Sequence, residues 1–195
     1  MTELTLFYRG PLKSNGTAAE KHGIRLQLHP QIKRWVSQLR RFGGQPIDSS
    51  ERLSQWQSSN PSEHPLVVVD RGRWRFAAIS TYQEYSDPIH PPPTAQLDVT
   101  MLRPEPPGAL IVNGGDIDNR LKTLFDALQI PDPNQAANLG VQPTDQYPMF
   151  CLLEDDKQIT RVNVRTAQLL DETSVANEVI LTIDVAIKNC QLNYH

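Results

Sequence analysis

The sequence predicts an α+β fold, with helices packed on a mixed or mostly antiparallel sheet. Three observations carry this. Several segments alternate apolar and polar residues with the period of a half-buried strand. Two segments carry an apolar stripe at i, i+3, i+4, i+7, the period of a helix. Pro- and Gly-rich breaks separate them in the order strand, helix, hairpin, strand, helix, strands. The 195 residues fit one domain, 1–195, with loop elaborations at 45–64 and 131–147.

The first strand spans Leu4 to Tyr8 and ends at the Gly10-Pro11 break. Residues 13–24 are polar and read as irregular. A helix follows over Pro30 to Phe42, with Ile32, Trp35, Val36 and Leu39 as its stripe. Pro30 suits a first turn, and Gly43-Gly44 a terminus. Residues 45–64, rich in Ser, Gln and Pro, read as a surface loop. Leu66–Asp70 and Trp74–Ser80 form a hairpin through Asp70-Arg71-Gly72. The prolines of 86–94 demand a loop, and Gln96–Arg103 alternates as a strand through Leu97, Val99 and Met101. The next helix is capped by Asp116 and carries the stripe Leu121, Leu124, Phe125, Leu128. Residues 131–147 read as a polar loop. Arg161–Arg165 is a strand with Val162 and Val164 on one face. Glu178–Lys188 is a long amphipathic one.

Composition removes several function classes. No apolar run approaches the roughly 20 residues of a membrane span. The first residues lack a basic stretch followed by an apolar one, so a cytoplasmic protein is expected. Cys151 and Cys190 are too few for a disulfide scaffold and read as small hydrophobes. The five histidines show no zinc-ligand spacing, and no Gly-Lys-Ser/Thr follows Gly114-Gly115 as a P-loop requires.

The net charge of −3 argues at first against a nucleic-acid partner. It hides a division. Residues 1–75 hold twelve basic and six acidic side chains, a balance of +6; residues 76–195 hold seven and sixteen, a balance of −9. The basic third offers Lys13, Lys33, Arg34, Arg40, Arg41, Arg71, Arg73 and Arg75 to DNA phosphates.

The acidic part is organised in two clusters. One is Gly115-Asp116-Ile117-Asp118-Asn119, followed by Lys122 and Asp126. The other is Glu154-Asp155-Asp156. Asp118, Lys122 and Asp126 fall at i, i+4, i+8, a polar stripe that could simply be two exposed ion pairs worth tenths of a kcal/mol. Glu154–Asp156 could be a solvated turn. Together the clusters suit a hard divalent cation, which wants several oxygen ligands. Bound Mg²⁺ can activate water for phosphodiester hydrolysis, and a lysine one turn away can offset charge on phosphoryl oxygens.

Residues 115–128, Gly-Asp-Ile-Asp-Asn-Arg-Leu-Lys-Thr-Leu-Phe-Asp-Ala-Leu, resemble the core motif D-[LI]-D-N-x-x-K-x-x-x-D-A-L of the RusA-type Holliday-junction resolvases. Leu153–Ile159 resembles the family's second motif, an apolar residue, an acidic pair and x-[QN]-[IV] leading into a strand. The resemblance covers roughly residues 95–185 and implies a RusA-like fold. It implies metal binding by Asp116, Asp118 and Asp156, with Asp155 close by, and a catalytic role for Lys122. It further implies a homodimeric, Mg²⁺-dependent endonuclease, with Mn²⁺ as a substitute, that cuts branched double-stranded DNA in recombination and repair; such enzymes are often phage-derived. Two departures stand out. Twenty-eight residues separate Asp126 from Asp155, more than the family's usual spacing, and the chain is acidic where the family is basic. Another metal-dependent nuclease or phosphohydrolase on the same scaffold, or a non-enzymatic DNA- or protein-binding module, would use the same residues.

Overall fold

The computed structural model describes residues 2–38, 66–81, 93–104, 117–171 and 178–188. Arg40, Arg41, Asp116, Cys190 and the 45–64 segment lie outside the described residues. So do the helix end at Phe42–Gly44 and most of the proline-rich loop before Thr94.

The described elements are β1 (Thr2–Pro11), α1 (Ala18–Gln38), β2 (Leu66–Arg71), β3 (Trp74–Ile79), β4 (Thr94–Arg103), α2 (Ile117–Leu128), α3 (Pro133–Ala137), β5 (Met149–Leu153), β6 (Ile159–Gln168) and β7 (Glu178–Lys188). They form an α+β fold, as expected, but with two sheets instead of one. The larger has the order β1-β7-β4-β6, antiparallel except for the β4–β6 pair. The smaller has the order β2-β3-β5, with β3 and β5 parallel. Inward-facing Leu97, Val99 and Met101 of β4 and Val179, Leu181, Ile183, Val185 and Ile187 of β7 are buried, so the period-2 pattern held there. One apolar cluster joins both sheets to α1 and α2, through residues such as Leu6, Ile32, Ile79, Leu124, Phe150 and Ile183. Among the described residues no helix is long and apolar enough to cross a membrane.

Several sequence expectations are corrected, and one strand is added. Residues 18–24 are helical, so α1 starts twelve residues before Pro30. Thr17 and Glu20 cap it reciprocally: the Glu20 carboxylate accepts the Thr17 N–H at 2.8 Å, and the Thr17 hydroxyl accepts the Glu20 N–H at 3.3 Å. Pro30 therefore sits inside the helix, where its ring leaves the carbonyl of Leu26 without its helical donor; Leu26 is exposed, and water can serve that carbonyl. The 131–147 stretch is not structureless. Asp132 caps α3 by accepting the N–H groups of Asn134 and Gln135 at 2.8 and 2.9 Å, with Pro133 in the first turn, and a 3₁₀ turn covers Thr144–Gln146. Met149–Leu153 is a strand that alternation could not reveal, because all five residues are buried. A strand covered on both faces reads as a continuous apolar run. Finally, Val162 is 38% exposed on β6, which among the described strands pairs with β4 alone; Val164 packs on the core, but Val162 does not.

The β2–β3 turn is tighter than read. Arg71 pairs with Trp74, so Gly72 and Arg73 make the turn, and Gly72 takes the left-handed conformation (φ +62°) that glycine adopts without strain.

Candidate metal and nucleic-acid site

The two acidic segments meet where α2 ends and β5 ends. The Ile130 N–H donates to the Leu153 carbonyl at 3.0 Å, and Gln129 forms a parallel bridge with Leu153. This ties the helix bearing Asp118, Lys122 and Asp126 to the turn bearing Glu154, Asp155 and Asp156. The join is reinforced from α1. The Arg25 guanidinium, buried, donates to the carbonyls of Asp126 and Gln129 at the C-terminal end of α2. Cationic donors are favoured at that end of a helix.

The N-terminal half of α2 is anchored by a loop. Arg120, 2% exposed, donates to the Leu12 carbonyl at 2.7 Å. The Gly16 N–H donates to the Thr123 hydroxyl at 2.9 Å. A Cβ on Gly16 would lie 2.6 Å from Thr123 Cγ2, so only glycine approaches so closely.

The three acids of the second cluster have different tasks. Glu154 is structural. One of its carboxylate oxygens accepts the Thr81 N–H at 2.6 Å and the Thr81 hydroxyl at 2.7 Å, closing the end of β3. Asp155 caps the 3₁₀ turn Asp156–Gln158 by accepting the Lys157 N–H at 2.9 Å. Asp156 carries the perturbed carboxyl. Partial burial raises its pKa, and the neighbouring carboxylates of Asp155 and Asp126 raise it further, opposed by Lys157. Lys157 is almost fully exposed and screens little.

Gln158, 4% exposed, builds the turn. Its side-chain oxygen accepts the N–H groups of Glu154 and Asp155 at 2.9 and 3.2 Å. Its amide nitrogen donates to the carbonyls of Ser80 and Pro93 at 3.1 and 3.3 Å. One side chain thus fixes β3, the entry to β4 and the acidic turn together.

On α2, Asp118 and Lys122 are exposed and Asp126 is half-buried. The sequence left open two ion pairs along this stripe. They do not form: Asp126 is taken by Lys21 of α1, at 2.6 Å with both side chains 16% exposed. Among the described residues Lys122 has no ion-pair partner. Lys21 was missed because it lies in the stretch read as irregular, and no local spacing links it to Asp126.

The donor set is all oxygen, which suits Mg²⁺ or Mn²⁺ better than softer ions. Burial first, and then the carboxylates of Asp155 and Asp126, disfavour the charged form of Asp156, and a bound cation would oppose both. Among the described residues, however, no three acidic, histidine or cysteine side chains form a complete ligand group. Asp116 lies outside the described residues.

The expected DNA-contact residues separate into classes. Lys33 and Arg34 lie on α1 beside a groove of about 620 Å³, also lined by His29, Ser37 and Asp145. Neither has an ion-pair partner among the described residues. Arg73 is exposed at the hairpin turn, and Arg71 is half-buried. Lys13 and Arg75 are already neutralised, Lys13 by Glu20 at 2.6 Å and Arg75 by Asp70 at 2.7 Å, and Arg75 also lies over the Tyr147 ring.

No family model, curated protein or solved structure matches the chain.

Proposed function

We propose that the protein is a metal-dependent DNA endonuclease that cuts branched substrates, four-way junctions foremost. The observation that carries this reading is the meeting of the two acidic segments. The turn bearing Asp155 and Asp156 is joined to the end of α2 beside Asp126, and the same helix presents Asp118 and a Lys122 with no ion-pair partner among the described residues. The buried Gln158 and the Gln129–Leu153 bridge hold this turn in place against the acidic helix, which supports the reading. The motif D-[LI]-D-N-x-x-K-x-x-x-D-A-L, met by residues 116–128, supplies the reaction class.

In this reading Asp118 and Asp156, together with Asp116, hold Mg²⁺, and Asp155 assists. The bound ion supplies charge neutralisation at the scissile phosphate and a more acidic water. Lys122 places its ammonium against a phosphoryl oxygen that gains charge as the bond breaks. Lys33, Arg34 and Arg73 contact backbone phosphates away from the acids. A homodimer would bring two such sites to the two strands of a symmetric junction.

A synthetic four-way junction incubated with the full chain and Mg²⁺ tests this. Wild type is expected to nick it, and Asp118→Asn is expected to lose the activity. Failure of the wild type, or equal cutting by the variant, would overturn the reading. Faster cutting of flaps or RNA than of the junction would reassign the substrate and keep the site.

A further inference from the structure

Gln129 is the first residue beyond α2 and belongs to no motif the sequence displays. Its backbone is fixed: its N–H donates to the Phe125 carbonyl at 3.2 Å, and the residue bridges to Leu153. Its side chain reaches both acidic segments. The side-chain oxygen accepts the Asp156 N–H at 2.8 Å, and the amide nitrogen donates to an Asp126 carboxylate oxygen at 3.3 Å. The two partners agree on one orientation of the amide. A backbone N–H needs an acceptor and a carboxylate needs a donor, so a turned amide would mismatch both.

The other carboxylate oxygen of Asp126 is held by Lys21. A continuous chain therefore runs from α1 through Asp126 and Gln129 to the backbone of Asp156. Gln158 fixes the turn relative to β3 and β4. Gln129 alone of the two glutamines fixes that turn relative to α2, where Asp118 and Lys122 stand.

We propose that Gln129 is a positioning residue for the nuclease site: it sets the register between the α2 stripe and Asp156, so that carboxylates from two segments reach one cation. The inference rests on the reading given under Proposed function. Gln129 touches neither substrate nor ion. Its effect passes through Asp156 and Asp126, and groups that orient metal ligands typically change affinity or activity ten- to a hundredfold when removed.

The test uses the full chain with two substitutions. Gln129→Met keeps the length and loses both bonds. Gln129→Glu keeps the acceptor for the Asp156 N–H but sets a carboxylate against that of Asp126, and adding Asp126→Asn restores a donor there. In Gln129→Met, Mn²⁺ affinity by calorimetry and kcat on a four-way junction are each expected to fall about tenfold or more. KM for the junction is expected to stay within about twofold, because the phosphate contacts lie elsewhere, and hydrogen exchange of the Asp156 amide is expected to quicken. The double variant Gln129→Glu/Asp126→Asn is expected to recover most of the kcat. A core variant of matched stability loss, Ile183→Val, is expected to leave kcat and Mn²⁺ affinity unchanged. Wild-type kcat and Mn²⁺ affinity in Gln129→Met would overturn the inference. So would an equal kcat loss in Ile183→Val, or a Gln129→Glu/Asp126→Asn double variant as inactive as Gln129→Met. A wild type that neither binds Mn²⁺ nor cuts would overturn the nuclease reading itself, and this inference with it. That failure is seen in the wild type alone, before any variant is compared.

Discussion

Replacing Gln158 with methionine removes four hydrogen bonds while nearly preserving volume. The Glu154 N–H keeps a second acceptor, the Ile79 carbonyl at 3.0 Å, so it is not left bare. The Asp155 N–H loses its acceptor, and the Ser80 and Pro93 carbonyls lose a donor, at a position only 4% exposed. A buried polar group deprived of its partner costs about 1–3 kcal/mol, and carbonyls tolerate the loss better than N–H groups. The expected destabilisation is about 3 kcal/mol, which for a chain of this length lowers Tm by roughly 10 °C. Gln158→Glu should cost at least as much, since it keeps the acceptor but faces a carboxylate toward two carbonyls. Urea unfolding followed by circular dichroism measures both. A Gln158→Met variant within about 0.5 kcal/mol of wild type would refute the reasoning that this side chain fastens the turn.

Three further outcomes follow from the same contacts. His29 accepts the Phe150 N–H at 2.8 Å, and burial, then the charge of Lys33, lowers its pKa to about 4. The unfolded chain protonates it near 6.5, so its contribution is whole above pH 6.5 and is lost as pH falls toward 4, roughly 3 kcal/mol by pH 4. His22, also at about 4 through burial, acts in the same direction. His29→Gln keeps an acceptor without a titrating proton and should flatten that acid limb; unfolding free energies at pH 7.5 and 4.5 that fall as much in the variant as in wild type would contradict this. Gly16→Ala should cost about 1–3 kcal/mol through its clash with the Thr123 methyl, and adding Thr123→Ser should recover most of it; urea unfolding showing equal losses with and without the second change would show that the clash is not the cause. In DNA binding by fluorescence anisotropy, Lys33→Ala should reduce the slope of log K against log salt by about 1, and Arg75→Ala by less, because Asp70 already neutralises Arg75; equal slopes would argue against separating the basic residues this way.

Where periodicity is local and one face is wet, the fold was legible. β4, β7 and the stripe of α2 follow directly from spacing in the chain. β5 escaped because burial on both faces erases alternation, and α1 began early because the Thr17–Glu20 cap outweighed the polar look of residues 13–24. The division into two sheets depends on pairings such as β3 with β5, more than seventy residues apart in the chain, for which the sequence carries no local sign. At the candidate site, the two acidic segments were legible, and the structure joins the second to the end of α2. Their division of labour was not. That Glu154 closes β3, that Asp155 caps a turn and that Lys21 takes Asp126 away from Lys122 are facts of long-range packing. So are the two glutamines that hold Asp156. Polar side chains in contact across the fold leave no period in the sequence.

In the proposed reading, α2 and the Asp156 turn together hold one divalent cation. Substoichiometric Mn²⁺ added to ¹⁵N-labelled protein tests it most directly, because paramagnetic broadening marks the amides nearest the ion. Selective loss of the Asp118, Asp155 and Asp156 signals is expected, abolished by Asp156→Asn. Broadening spread evenly over the acidic surface, or centred away from both segments, would contradict it.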